Sequence, residues 1–214
     1  MKVYFADVQS LKEPSKYAEA YRQIDEERQK KVDRFHFEKD RLLSLGAGLL
    51  LKKALDDENI KDRKMGYTTL GKPFLINHPA LYFNLSHSGE KVLCVMGRKM
   101  AGCDIEVLGD IPHQIIGRVF SEEEQAYLKT LKEENLKREF FRLWTGKESF
   151  LKMTGEGLSH DPRDFSIKLP FGKQTIGSRE VTFFEIPCGA DYQATICMEG
   201  DARREEIRLE EIFF

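Results

Sequence analysis

Apolar and polar residues alternate over residues 3–8, which predicts an opening strand, and a turn-rich stretch at 10–15 then leads into a helical run from 16 to about 28. The pattern breaks at residues 33–37. From about 38 to 55, Leu42, Leu45 and Leu49 recur at helical spacing, and the small residues Gly46, Ala47 and Gly48 leave room for another element to approach closely. A turn at 69–73 precedes two strand-like runs, 81–85 and 91–96, after which Gly97-Arg98-Lys99 turns the chain into a third run carrying Asp104 and Glu106. Punctuation at Leu108-Gly109-Asp110-Ile111-Pro112 marks the predicted junction and divides the chain into 1–107 and 108–214. Beyond it, Ser121 with Glu124 three positions on reads as a capping box for a helix reaching about 131. A longer helix is predicted from about 135 to 153, stopped by Gly155 and Gly157. Residues 165–169, 181–186 and 192–198 read as strands of an antiparallel sheet, while 205–212 has no decisive period. Each half therefore offers helix followed by strands, and no repeat by residue identity relates the two.

Composition adds limits. With 41% hydrophobic and 33% charged residues among 214, the chain has material for a real core and a well-solvated surface. Asp7 comes too early for a secretory signal, and no apolar run approaches the roughly 20 residues of a membrane span, so a cytoplasmic globular protein is expected. A formal net charge of −2 argues against general nucleic-acid affinity. Residues 22–53 nevertheless gather Arg28, Lys30, Lys31, Arg34, Lys39 and Arg41, a local patch better suited to a small polyanion. Cysteines 94, 103, 188 and 197 form no CxxC pair, and three of them lie in apolar strand-like runs, which reads as buried free thiols rather than a zinc site or a disulfide framework.

Two stretches carry candidate chemistry. In Gly102-Cys103-Asp104-Ile105-Glu106, read as a strand, the two acids leave one face while Cys103, Ile105 and Val107 enter the other, which builds half of a hard-cation site. In Trp144-Thr145-Gly146-Lys147-Glu148-Ser149-Phe150-Leu151-Lys152, read as a helix, Glu148 and Lys152 stand one turn apart. Together they suggest magnesium-assisted chemistry on a phosphate ester. Each also has a plain reading: a solvated strand face, and an exposed ion pair worth about 0.3–0.5 kcal/mol. Lys147 projects among Phe140, Leu143, Trp144 and Leu151, so it must snorkel, pair or serve a ligand. Phe83-Asn84-Leu85-Ser86-His87-Ser88-Gly89 reads as a strand ending in turn-formers whose amides suit phosphate, or as a plain β-turn. A Ser86–His87 nucleophile pair is disfavoured, because neighbours on extended backbone point apart. Gly71-Lys72-Pro73 lacks the surroundings of a Walker loop and by itself is a turn.

Taken together, Gly71-Lys72-Pro73, Phe83-Asn84-Leu85-Ser86-His87-Ser88, Gly102-Cys103-Asp104-Ile105-Glu106 and the string from Trp144 to Lys152 resemble, in order and spacing, the motifs of the Sfp-type 4′-phosphopantetheinyl transferase family. The resemblance spans most of the chain, and four matches in register outweigh the plain reading of each. It implies an α+β fold of two similar halves related by a pseudo-twofold axis, with the active site in the cleft between them. It further implies magnesium on Asp104, Glu106 and Glu148, and coenzyme A as substrate against Lys72, Pro73, Ser86, His87, Asp104 and Lys152. The basic segment suggests Arg28 and Lys31 at the nucleotide phosphates, with Ser44 nearby. Cys103 stands where an aliphatic residue is usual, and Arg28 where Lys is frequent.

The implied reaction moves the phosphopantetheine arm onto a serine of an apo acyl or peptidyl carrier protein and releases adenosine 3′,5′-bisphosphate. Lys152 would share the developing charge, and Glu148, a water on the metal or Glu124 would serve as base. A monomer is expected, since both cleft walls come from one chain, as are nonribosomal peptide or polyketide carriers as partners. The alternatives are a short trimeric type of synthase devoted to fatty-acid synthesis, disfavoured by length, and a non-catalytic carrier-protein or nucleotide-binding module of the same fold. The region after residue 158 carries no assignable motif.

Overall fold

The computed structural model describes the backbone of residues 1–214 and every side chain except those of His113 and Leu158. The first half opens with β1 (Lys2–Asp7), α1 (Pro14–Gln23), α2 (Glu26–Asp33) and α3 (Glu38–Asp57). A small hairpin, β2 (Met65–Tyr67) and β3 (Pro73–Leu75), leads to β4 (Tyr82–Ser88), β5 (Lys91–Gly97) and β6 (Ala101–Val107). The second half comprises α4 (His113–Val119), α5 (Glu122–Thr130), α6 (Glu133–Thr154), β7 (Lys173–Ile176), β8 (Arg179–Glu185), β9 (Tyr192–Glu199) and β10 (Arg208–Ile212).

The strands form two four-stranded sheets, ordered β10-β1-β5-β4 and β6-β9-β8-β7, with β2-β3 apart. Strand periodicity sorts their side chains into layers. Tyr4 and Ala6 of β1, with Val92, Cys94 and Met96 of β5, pack against the α1–α3 side, while Val3, Phe5, Leu93 and Val95 point the other way. There they meet Cys103 and Ile105 of β6 and Ala194, Ile196 and Met198 of β9, so the sheets pack face to face. Helices α5 and α6 close the outer side of the second sheet. The fold is α+β, built of two helix-backed sheets. Among the described residues no helix is long and apolar enough to cross a membrane, and all four cysteines are buried and free.

The structure corrects several expectations. The helix expected over 16–28 is two helices, because Asp25 accepts the amide of Arg28 (2.8 Å) and caps a second start. Residues 165–169 are not a strand. Their backbone groups are taken by side chains: Lys147 Nζ donates to the carbonyl of Phe165 (2.5 Å), and the Ile167 amide donates to Glu124 Oε1 (2.7 Å). The undecided stretch 205–212 contains β10, parallel to β1 and largely exposed, hence without a buried face to set a period. Ser86 and His87 lie within strand β4, not in a turn. Val107 is 38% exposed and does not enter the core with Cys103 and Ile105. Sheet membership changes at β6, which pairs with β9, while β10 returns to the first sheet.

Gly102 fixes how β6 meets α6. A Cβ there would lie 2.1 Å from the Ser149 carbonyl oxygen and 2.4 Å from the Met153 amide, both rigid backbone. Strand and helix therefore approach more closely than any side chain permits, which puts Asp104 beside Glu148 and Lys152. Gly102→Ala is expected to destabilise the fold by about 3 kcal/mol, read as a lower denaturant midpoint; an unchanged midpoint would contradict so close a contact.

Candidate active site

Strands β4 and β6 are the facing edges of the two sheets and are joined through side chains. The Cys103 amide donates to Asn84 Oδ1 (3.0 Å), that of Ile105 to Ser86 Oγ (3.4 Å) and that of Val107 to Ser88 Oγ (3.2 Å). The constant offset of 19 residues sets the two strands parallel. A serine hydroxyl that accepts an amide still has its own proton to donate. Ser86 gives it to Asp104 Oδ1 (2.8 Å) and Ser88 to Glu106 Oε2 (2.6 Å).

Helix α6 supplies the opposite wall. Lys152 Nζ lies 2.5 Å from Asp104 Oδ1 and 3.0 Å from Ser86 Oγ. Burial opposes its charge, but the charge and hydrogen bond of Asp104 prevail, and the pKa of Lys152 is raised. Glu148, one turn earlier, has its pKa raised by burial and then by the negative charges of Asp104 and Glu106. Burial likewise raises Glu106, with Asp104 adding to it and the Ser88 hydrogen bond opposing. Three carboxylates thus share one electrostatic neighbourhood.

A cationic group adjoins them. Arg28, on α2, lies across Gly48 of α3 and donates from Nε (3.1 Å) and Nη2 (2.7 Å) to the Ser44 carbonyl. Burial lowers its pKa, and burial together with Arg28 lowers that of Lys31. His87 is exposed at its edge yet backed by protein, and the resulting desolvation, followed by the charge of Lys152 and those of Arg28 and Lys31, holds it below the usual imidazole value. Lys72 donates to the Met153 carbonyl (2.6 Å) and is lowered by burial, with Pro73 following it as the first residue of β3. Arg28, Lys31, Ser44, His87, Ser86, Lys152, Asp104, Glu106 and Glu148 are therefore brought together, and Lys72 reaches the end of α6 beside them.

The fit of a hard cation can be tested on the acids. Asp104 Oδ2 is buried with no partner among the described residues, the donor set is all carboxylate oxygen, and burial and mutual repulsion raise both glutamates. Among the described residues no three His, Cys, Asp or Glu side chains close a coordination shell by themselves; Lys152 sits against Asp104 instead. The buried Ser44 hydroxyl, on the cationic side, likewise has no partner among the described residues.

Glu124 does not belong to this group. It is 2% exposed and fully engaged, with Oε2 accepting from the Ser121 amide (2.9 Å) and Lys147 Nζ (2.8 Å), and Oε1 from the Ile167 amide. Lys147, for its part, does not snorkel; it is 0% exposed and also donates to the carbonyls of Pro162 and Phe165. The pair ties α5 and α6 to the segment from Pro162 to Ile167, and both oxygens of Glu124 are turned to that network rather than to the acids of the site.

Two family models cover nearly the whole chain. One, described as 4′-phosphopantetheinyl transferase, N-terminal, matches residues 12–98, and one described as the 4′-phosphopantetheinyl transferase superfamily matches residues 100–197. The chain belongs to the Sfp-type 4′-phosphopantetheinyl transferase family. The two matches meet where sheet membership changes, just before β6. Similar proteins include 4′-phosphopantetheinyl transferase Sfp of Bacillus subtilis (strain 168), 32% identical over 68% of this chain and 66% of that protein. Another is 4′-phosphopantetheinyl transferase gsp of Aneurinibacillus migulanus, 36% identical over 63% of this chain and 57% of that protein. In each the match spans less than two thirds of the relative's own length.

Sequence reasoning passed over Asn84 and Ser88 as members of the site. A signal was present: polar residues at 84, 86 and 88 form a period-two stripe in a strand that is otherwise largely apolar. The buried Lys147–Glu124 pair leads to a direct test. Glu124→Ala should cost about 3–5 kcal/mol of stability by leaving Lys147 buried without its counter-charge, measured by urea unfolding. Unaltered stability with selective loss of turnover would restore Glu124 as a reacting group.

Proposed function

We propose that this chain transfers the 4′-phosphopantetheine arm of coenzyme A to a serine hydroxyl of an apo acyl or peptidyl carrier protein, releasing adenosine 3′,5′-bisphosphate. The observation that carries this reading is the juxtaposition of one cationic group, Arg28, Lys31, His87 and Lys152, with one acidic group, Asp104, Glu106 and Glu148, across the β4–β6 seam. Like charges gathered on each side suit a polyphosphate and a hard cation bound together.

In this reading Asp104, Glu106 and Glu148 hold magnesium, which when bound neutralises the pyrophosphate and makes the attacked phosphorus more electrophilic. Arg28 and Lys31 take the nucleotide phosphates, helped by the Ser44 hydroxyl. Lys72 and Pro73 line the approach at the end of α6, and Ser86 and His87 face the pyrophosphate from β4. Lys152 meets the charge that develops on the leaving group. Glu148, one turn before Lys152 on α6, removes the serine proton. The reaction needs no second subunit in this scheme, because α2, α3, the β2–β3 hairpin, β4, β6 and α6 of one chain supply every group named, and the enzyme works as a monomer.

Incubation of the purified chain with coenzyme A and a panel of apo carrier proteins is expected to raise one carrier's mass by a single phosphopantetheine, only when a divalent cation is added. Unchanged masses across peptidyl and acyl carriers, with folded protein that still binds coenzyme A, would indicate a non-catalytic binding module instead.

His87 generates a pH prediction. Its pKa lies below the usual value in the free protein, and a bound phosphate raises it, so binding takes up a proton. Coenzyme A affinity should therefore increase as pH falls through the bound-state pKa toward the free-state one. His87→Ala should remove that proton uptake, measured by calorimetry in buffers of different ionisation enthalpy, and weaken binding by about 1.5–3 kcal/mol. Equal proton uptake in the variant would take His87 out of the phosphate site.

A further inference from the structure

The three rungs between β4 and β6 are not chemically alike. Where the β6 residue preceding the donated amide has no side chain, at Gly102 before Cys103, the acceptor is an amide oxygen, Asn84 Oδ1. Where that residue is an acid, at Asp104 before Ile105 and Glu106 before Val107, the acceptor is a serine hydroxyl. In a hydroxyl one and the same oxygen both accepts the backbone N–H and donates its proton to a carboxylate, which the amide oxygen of Asn84 cannot do. The rung type thus follows the acids rather than the requirements of the seam, which an amide oxygen satisfies at Asn84.

We propose that Ser88 is a positioning residue for Glu106, holding it as a cation ligand; the inference rests on the cation reading given above. Ser88 Oγ is anchored from behind by the Val107 amide at 3.2 Å and reaches Glu106 Oε2 at 2.6 Å, a short charge-assisted bond. That bond fixes the carboxylate plane through one oxygen and leaves Oε1 for a ligand. Glu106 needs such a hold more than Asp104 does. Asp104 is 2% exposed and is fixed by both Ser86 and Lys152, whereas Glu106 has a longer side chain, is only half-buried and has the short bond from Ser88 as its main hold, with a lesser contribution from the Trp144 side chain. Groups that orient a metal ligand typically contribute 10–100-fold to metal affinity.

The test is manganese(II) binding to the full chain without coenzyme A, followed by electron paramagnetic resonance, with thermal unfolding of every variant measured in parallel. Ser88→Ala is expected to bind manganese about tenfold more weakly than the wild type, and Ser88→Thr, which keeps the hydroxyl, to restore the affinity. In a Glu106→Ala background, Ser88→Ala should cause no further loss, because the residue acts through Glu106. Equal affinity in wild type and Ser88→Ala overturns the proposal while leaving the cation site standing. So does an equal loss in both backgrounds, which would make Ser88 a seam residue only. A wild-type chain that binds no manganese removes the cation reading itself, and this inference with it.

Discussion

The backbone amides of β6 need acceptors, and the edge strand beside them does not offer its own carbonyls. Unpaired buried amides cost roughly 1–3 kcal/mol each, so the seam between the two sheets holds only if β4 presents polar side chains at alternate positions. Asn84, Ser86 and Ser88 do this. The solution has a chemical by-product: two hydroxyl protons are left pointing at the β6 side chains, and acids at 104 and 106 receive them. Joining two sheets and orienting two carboxylates are therefore one arrangement. Close contact at Gly102 then brings α6 over the same spot, so that the third acid and the lysine come from a helix rather than from a loop.

Electrostatically the site is held in tension by its own scaffold. Partly desolvated acids with raised pKa values and partly desolvated bases with lowered ones each resist their charged forms, and among the described residues the one ion pair between the two groups is Lys152 with Asp104. The Lys147–Glu124 pair on the other side of α6 is a contrast. It is at least as deeply buried, yet every strong donor and acceptor is matched, two backbone carbonyls and two amides included. Two lysines five residues apart on one helix thus differ in kind: one closes a structural network, and the other remains beside an acid with an unpartnered oxygen.

Much of this was legible in the sequence. Strand periodicity located β1, β5, β6, β8 and β9, and the Ser121–Glu124 capping box is present as read. The acids at 104 and 106 and the α6 string lay in the order that the family motifs require. The misses share a cause. Residues 165–169 look like a strand because Phe165 and Ile167 are buried, but burial alternation does not reveal that their backbone partners are Lys147 and Glu124. The partners of Glu124 were hidden in the same way, since the donors that engage a carboxylate can lie far from it in sequence. Asp25 was overlooked as a cap inside an apparently continuous polar helix, and β10 has no inward face by which to be recognised.

The parallel pairing of β10 with β1 sets Lys2 opposite Arg208 and Val3 opposite Leu209. A ribosome delivers β1, β4 and β5 well before β10, so during synthesis the first sheet can assemble those three strands but leaves one flank of β1 bare. Open flanks of apolar strands are templates for pairing with other chains, and contacts this distant in sequence form slowly. The nascent first half is thus most exposed to self-association while the second half is still being made. It is relieved only when β10 folds back onto β1, so the open flank of an early strand waits for a partner made much later in synthesis.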